Sequence, residues 1–260
     1  MNELLKEKRS WSFGVLETLS LNMKLIRLIT GLSLGAILWS SATVTRAADV
    51  EGVAIAIVYD TSGSMKDPVN DDTGKASPKY RIANRALIAI ANRIQTFATN
   101  APGGSPRKIE AALFVFQKDA PHAALPLKPF NAADFISWAR GFSEPTGGTP
   151  LGTTLTAAAH AVLDSGLTHK HVLVITDGMN TVGPDPARML ASLQRETAQK
   201  QTSVSVHFVA FDVDAKVFDG VKKLGATVAS AANEKQLNTQ LEFILEKKIL
   251  LEEEEPAKKP

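Results

Sequence analysis

The sequence predicts an α/β domain built on a mostly parallel sheet with helices on both faces. Three observations lead there. Continuous aliphatic runs at residues 53–59, 109–116 and 171–176 have the pattern of strands buried on both faces, not the alternation of half-exposed ones. Segments with helical spacing of apolar residues separate most of these runs. Strands that alternate with helices pack as a parallel sheet between helical layers. Finally, two of the runs end in an aspartate, Asp60 and Asp177. In such sheets, ligands bind at the carboxyl ends of strands where the strand order reverses.

At 260 residues the chain is long enough for one such domain with a full core plus extra segments. The net charge is only +2 and both signs are interspersed, which gives no support for a nucleic-acid partner. There is no cysteine, which excludes disulfides, thiolate metal sites, thiol nucleophiles and a lipidated cysteine.

Residues 1–22 carry no structural pattern. From Met23 onward the chain reads as a secretory signal: Lys24 and Arg27 precede an apolar stretch at residues 28–39, and Thr45-Arg46-Ala47 places small residues for cleavage after Ala47. The apolar stretch is short for a span of ~20 residues, so a cleaved leader is favoured over an uncleaved membrane anchor. Met23 is then the expected start, residues 1–47 stand outside the folded domain, and the mature protein is expected to be periplasmic or secreted with no membrane span. The folded domain is placed at 48–249 and a charged, disordered tail at 250–260.

Within the domain, 53–59 is the first strand. Residues 66–79 are rich in Asp, Asn, Gly and Pro and read as a loop. Residues 80–98 have helical spacing through Ile82, Ala86, Ala89, Ile90, Ile94 and Phe97, closed by the Pro/Gly segment 102–106. A strand at 109–116 precedes a short edge strand at 122–127, limited by Pro121 and Pro126. Asn131 is placed as N-cap of a helix at 132–140. A glycine-rich loop, 141–150, leads into a helix at 151–163, where three alanines allow close packing. After the 171–176 strand come a helix at 184–199 with Pro186 in its first turn, a strand at 203–211, a short helix near 217–224, a short strand at 227–229 and a last helix at 234–249. That helix puts Leu237, Leu241, Ile244, Leu245 and Ile249 on one face.

The chemistry concentrates in three separated pieces. Asp60-Thr61-Ser62-Gly63-Ser64 puts one carboxylate and two hydroxyls on a tight turn after the first strand. Thr149 follows Gly147-Gly148 just before a helix, and Asp177-Gly178 ends a later strand. Two carboxylates and three hydroxyls, without nitrogen or sulfur, suit Mg²⁺, Mn²⁺ or Ca²⁺ and not zinc or copper. Hydroxyls bring no formal charge, so the metal stays electrophilic and open to an incoming carboxylate.

These five residues, in this order and in these contexts, resemble the metal-ion-dependent adhesion site of the von Willebrand factor A domain. The resemblance covers about residues 48–249. It implies a Rossmann-like, doubly wound three-layer sandwich with six strands, one a short antiparallel edge. It further implies that Ser62, Ser64 and Thr149 ligate a cation through hydroxyls, that Asp60 and Asp177 do so directly or through water, and that a partner protein completes the shell with an Asp or Glu. Mg²⁺ is the expected ion, with Mn²⁺ or Ca²⁺ as alternatives. Adhesion or protein–protein assembly is the expected role, with no enzymatic activity. Gly63, Met65, Gly148 and Gly178 are the expected rim of the partner-binding face. The long polar loop at 66–79 departs from many relatives and can add contacts or cover the metal face.

Other residues invite plainer readings. Asp71 and Asp72 belong to an exposed loop, not a second cation site. Asp212 and Asp214 start the next helix. His169 and His171 line a solvated strand entrance, His160 packs or faces solvent, and Trp138 and Phe142 are core residues that can shape the rim of the Thr149 loop. A metal-dependent phosphatase or hydrolase is a lesser alternative: with Asp60 as nucleophile it lacks the second acid two residues on, where Ser62 stands, a serine nucleophile lacks a nearby base, and no P-loop occurs. A membrane-anchored accessory subunit of a larger enzyme is the alternative from a different class.

Overall fold

The computed structural model describes residues 50–99 and 107–251. The leader, the 102–106 segment and the tail from 252 lie outside the described residues. β1 (Val50–Tyr59) is the centre of a six-stranded sheet in the order β5-β4-β1-β6-β7-β8, where β4 is Ile109–Gln117, β5 Ala120–Pro129, β6 Leu167–Thr176, β7 Ser205–Phe211 and β8 Thr227–Ala231. Every neighbouring pair is parallel except β4 with β5. The chain lays β4 and β5 on one side of β1, then crosses over to lay β6 to β8 on the other, so the strand order reverses beside β1.

The two faces of β1 differ in bulk, and this sorts the helices. Val53, Ile55, Ile57 and Tyr59 face a core shared with α1 (Lys79–Thr99), α2 (Ala132–Gly141) and α6 (Glu234–Ile244). Ala54, Ala56 and Val58 face a core shared with α3 (Leu151–Leu163), α4 (Pro186–Gln199) and α5 (Asp219–Lys223). The small residues of β1 meet Ala158 and Ala159 of α3, so that helix lies close over the sheet. Asn131 caps α2 by accepting from the Ala133 amide, and Asp185 caps α4, whose first residue is Pro186.

Several elements differ from the sequence expectation. The edge strand is ten residues long despite Pro121, Pro126 and Pro129, because an edge strand leaves half of its N–H groups unpaired and prolines can occupy those positions. Its turn, Lys118-Asp119, has positive φ at both residues (50° and 59°), the twist a two-residue hairpin requires. The 66–79 loop is ordered: a 3₁₀ turn, Gly63–Lys66, leads into an antiparallel ribbon of β2 (Pro68–Asn70) and β3 (Ala76–Pro78). Asp71 Oδ1 closes the ribbon by accepting from the Thr73 and Lys75 amides and the Thr73 hydroxyl, which holds its pKa below the usual carboxylate range. The last helix ends in a π-helical turn, Leu245–Leu250, whose Leu245, Ile249 and Leu250 remain in the core. Leu250 therefore belongs to the folded body and not to the tail. His171 is inside β6, fully buried and stacked on His207 with ring centroids 5.6 Å apart; the expectation of a solvated strand entrance is wrong for it, because β6 begins four residues earlier, at Leu167.

The ribbon is tied to the body by one buried acid. Glu234, the first residue of α6, is 3 % exposed. It accepts from Arg85 Nε at 2.7 Å, from the second Arg85 nitrogen at 2.6 Å and from the Asp72 amide at 3.1 Å. The Arg85 hydrogen bond holds the Glu234 carboxyl below its ordinary pKa. Arg85→Ala strands this carboxylate, and urea denaturation should report a loss of about 1–2 kcal/mol, tempered by the half-exposed arginine. Loss of less than a few tenths would mean that water replaces the arginine.

Candidate metal centre

The sheet places the two aspartates side by side. β1 and β6 pair in register through Tyr59 and Ile175, and the Asp60 amide extends the ladder by donating to the Ile175 carbonyl at 3.0 Å. Both chains then leave the sheet at the crevice where the strand order reverses, the position such sheets use for ligands.

Asp60 is fully buried. The Ser62 amide donates to its Oδ1 at 2.8 Å and the Thr176 hydroxyl donates to its Oδ2 at 2.6 Å. These contacts curl the turn so that Ser62 Oγ lies 3.1 Å from Ser64 Oγ, and the Ser64 hydroxyl donates to Asp177 Oδ1 at 2.8 Å. Three oxygens from both strand ends thus form a continuous arc.

The loop that leads to Thr149 is pinned to the same turn through its backbone. The Thr146 amide donates to the Thr61 carbonyl at 2.8 Å, and the Gly63 amide donates to the Gly147 carbonyl at 3.1 Å. Gly148 is wedged in: a Cβ there would lie 2.7 Å from Val182 and 3.2 Å from Asp119, whose Oδ1 accepts from the Gly148 amide. The Thr149 amide donates to the Thr181 hydroxyl, and the Thr181 amide donates back to the Thr149 carbonyl. Asp60, Ser62, Ser64 and Asp177 are therefore linked at one end of the sheet, and the loop that carries Thr149 is pinned beside them. Of the expected rim, Gly63, Gly148 and Gly178 are partly exposed there. Met65 is not part of it: the 3₁₀ turn points it inward, and it is fully buried in the core. Met179, one residue past Gly178, is 61 % exposed.

Several contributors were not legible in the pattern. Thr61 completes the β1–β4 edge, donating to the Phe116 carbonyl at 2.8 Å and accepting from the Phe116 amide at 3.0 Å. Thr176 orients Asp60, and Asp119 and Thr181 orient the Thr149 loop. Lys79 comes from α1: its ammonium donates to Asp177 Oδ2 at 3.1 Å and pairs with Asp212 Oδ2 at 3.0 Å. Burial opposes the Lys79 charge, but hydrogen bonds and charges of Asp212 and Asp177 outweigh it and raise its pKa. The one available signal was a lysine opening a helix, where the macrodipole disfavours it. Asp212 is thus an ion-pair residue, while Asp214 caps the following 3₁₀ turn as expected. Trp138 and Phe142 stack on each other and pack edge-on against Tyr59 beneath the turn.

The donor set fits a hard divalent cation. An octahedral shell at ~2.0–2.1 Å places adjacent oxygens about 3 Å apart, the spacing of the Ser62–Ser64–Asp177 arc. The electrostatics fit as well. Burial first, and then the charge of Asp177, push the Asp60 carboxyl up to about 6, against the hydrogen bonds from Ser62 and Thr176. A carboxylate so placed gains from a cation.

The profile of the von Willebrand factor type A domain matches residues 54–242. The chain belongs to this family. Among solved structures, this von Willebrand factor type A domain is similar to proximal thread matrix protein 1 from the mussel byssus with a zinc-occupied MIDAS motif, at 19 % identity and a TM-score of 0.53, covering 76 % of this chain and 48 % of that one. It is also similar to the PilB minor pilin of Streptococcus sanguinis (15 % identity, TM-score 0.56, 76 % and 61 % covered). A third similarity is to the vWF domain of the type V pili tip protein Mfa5 of Porphyromonas gingivalis (13 % identity, TM-score 0.54, 76 % and 95 % covered). The chain spans less than two thirds of the mussel and streptococcal proteins, and at these identities the likeness establishes the shared fold. No curated protein sequence matches the chain. Domains of this family are typically interaction modules without enzymatic activity. Among the described residues, no helix is long and apolar enough to cross a membrane.

The raised Asp60 pKa has a measurable sign. Its folded value lies above the unfolded one, so its contribution to stability is fully present below about pH 4 and is lost as the pH rises through 6. In cation-free protein, the melting temperature of the parent relative to Asp60→Asn should fall between pH 4 and 6.5 by calorimetry. A relative rise over that window would contradict the assignment.

Proposed function

We propose that this domain binds a divalent cation through Asp60, Ser62, Ser64, Thr149 and Asp177 and uses it to hold an Asp or Glu side chain of a partner protein. The observation that carries this reading is the arc of Ser62, Ser64 and Asp177 oxygens, 3.1 and 2.8 Å apart, at the β1–β6 crevice. The cation supplies a Lewis-acidic position that a carboxylate can enter by displacing water. The residues of the chain do the rest. Thr176 and the Ser62 amide hold Asp60 in place, Ser64 and Lys79 hold Asp177, and the Asp119 and Thr181 contacts fix the height of Thr149. Partly exposed Gly63, Gly148 and Gly178 leave the approach free of side chains, and exposed Met179 offers apolar contact beside it.

Mg²⁺ is the ion proposed, with Mn²⁺ and Ca²⁺ close behind. The zinc in the mussel protein's site places zinc in the test panel, although donor hardness argues against it. Export follows from the leader-like sequence after Met23, with the mature chain beginning at Ala48. Both Asp60 carboxylate oxygens are engaged and the residue is buried, which disfavours a nucleophilic role and with it a phosphatase.

The test is capture from the exported fraction with the parent and with Asp60→Ala, each with and without chelator. A protein retained only by cation-loaded parent supports the reading, and retention indifferent to chelator and to Asp60 overturns it. Intact mass separates export from anchoring: a start at Ala48 supports the cleaved leader, and a retained leader supports the membrane-held accessory subunit.

A further inference from the structure

Lys79 stands where simple electrostatics would not put it. It opens α1, a helix with no acidic residue in its first turn and with a second cation, Arg81, two positions on. A positive charge there faces the positive end of the helix dipole. The side chain is also almost wholly buried, at 7 % exposure, and a buried ammonium needs anionic partners. It has two. Asp177, whose side chain is 0 % exposed, gives Oδ2 to Lys79 and Oδ1 to the Ser64 hydroxyl. Asp212, 39 % exposed, gives Oδ2 from a residue with φ of 55° just past β7. The ammonium thus bridges an acid of the cation site to an acid that none of the five-residue pattern includes.

We propose that Lys79 is a resident counter-cation that competes with the divalent ion for Asp177 and sets its affinity, with Asp212 as the acid that draws the ammonium away. This rests on the cation reading above. With Lys79 in place, the field of Asp60, Asp177 and Asp212 is partly neutralised before any ion arrives, and Asp177 has one oxygen already committed. Metal binding is thereby weakened, and the ion that does bind keeps more of its charge for an incoming carboxylate. A unit charge adjacent to a bound divalent ion is worth about one order of magnitude or more in affinity. Lys79 is a positioning residue here, since it acts through Asp177.

The experiment is calorimetric titration of MnCl₂ alone into the full chain, for the parent, Lys79→Met, Lys79→Arg and Asp212→Asn, with folding followed by circular dichroism. Lys79→Met should bind Mn²⁺ about tenfold or more tightly than the parent. Lys79→Arg, which keeps the charge, should stay within about threefold of the parent. Asp212→Asn, which leaves the ammonium to Asp177 alone, should bind about three- to tenfold more weakly. Equal or weaker binding by Lys79→Met in a parent that binds overturns the proposal, as does Lys79→Arg behaving like Lys79→Met. If Lys79→Met does not fold, the half-exposed Asp212 decides: weaker binding supports the proposal, and equal or tighter binding overturns it. Binding by Lys79→Met alone supports both the site and the competition. Absence of binding in every folded variant overturns the cation site itself, and this inference falls with it.

Discussion

Adding Mn²⁺ or Mg²⁺ to chelator-treated protein should raise its melting temperature by about 5–10 °C. A ligand at 100 times its dissociation constant stabilises the folded state by ~2.7 kcal/mol, and a domain of this size gains ~2–4 °C per kcal/mol. The gain should vanish with chelator. In Asp60→Ala and Thr149→Ala it should drop below about 1 °C while the proteins remain folded. Asp60→Ala removes an acid whose charge is strained by burial and by Asp177, which offsets part of the cost of leaving the Ser62 amide and the Thr176 hydroxyl without that acceptor. The variants therefore report on cation binding and not on folding. An equal response in parent and variants, read by scanning calorimetry, would place the ion elsewhere.

Thr61→Val should be the most destabilising substitution at the site. The change is nearly isosteric, yet it removes the one hydroxyl that serves both the amide and the carbonyl of Phe116 in a buried setting. Each buried backbone group left unpaired costs about 1–3 kcal/mol, so urea denaturation should show a loss of about 2–5 kcal/mol. Thr61→Ser keeps the hydroxyl and should lose about 1 kcal/mol or less. If Thr61→Val loses under about 1 kcal/mol, water must reach the end of β4 and the turn is more open than its burial indicates.

The sheet and the location of the candidate site were legible for a common reason: each is written in consecutive residues or in strand ends. Continuous aliphatic runs reveal buried parallel strands without reference to their partners, and Asp60 and Asp177 lie at the ends of two of them. The β2–β3 ribbon was hidden because its signal is not periodicity but pairing, Pro68 opposite Pro78 and Val69 opposite Ser77. His171 was misread because the start of β6, Leu167-Thr168-His169-Lys170, has no aliphatic run to announce it. Met65 was misplaced because a 3₁₀ turn rotates successive side chains by about 120°, which carries it away from the site shared by Ser62 and Ser64. Lys79, Asp119 and Asp212 act across the fold. Only the topology brings them to the crevice.

The central place of β1 also sets when the site can exist. Its partner β6 is paired in register at Ile57 and Leu173, more than a hundred residues later in the chain, with β4 and its own crossover between them. Closing so long a loop is a late and slow event in folding. The oxygens at Ser62 and Ser64 meet Asp177 only after that closure, so a chain still in the act of folding offers a cation only the local Asp60–Ser64 turn, without the second carboxylate. A cation held by this constellation acts chiefly as a latch on the finished fold, slowing its unfolding while leaving the rate of folding nearly untouched.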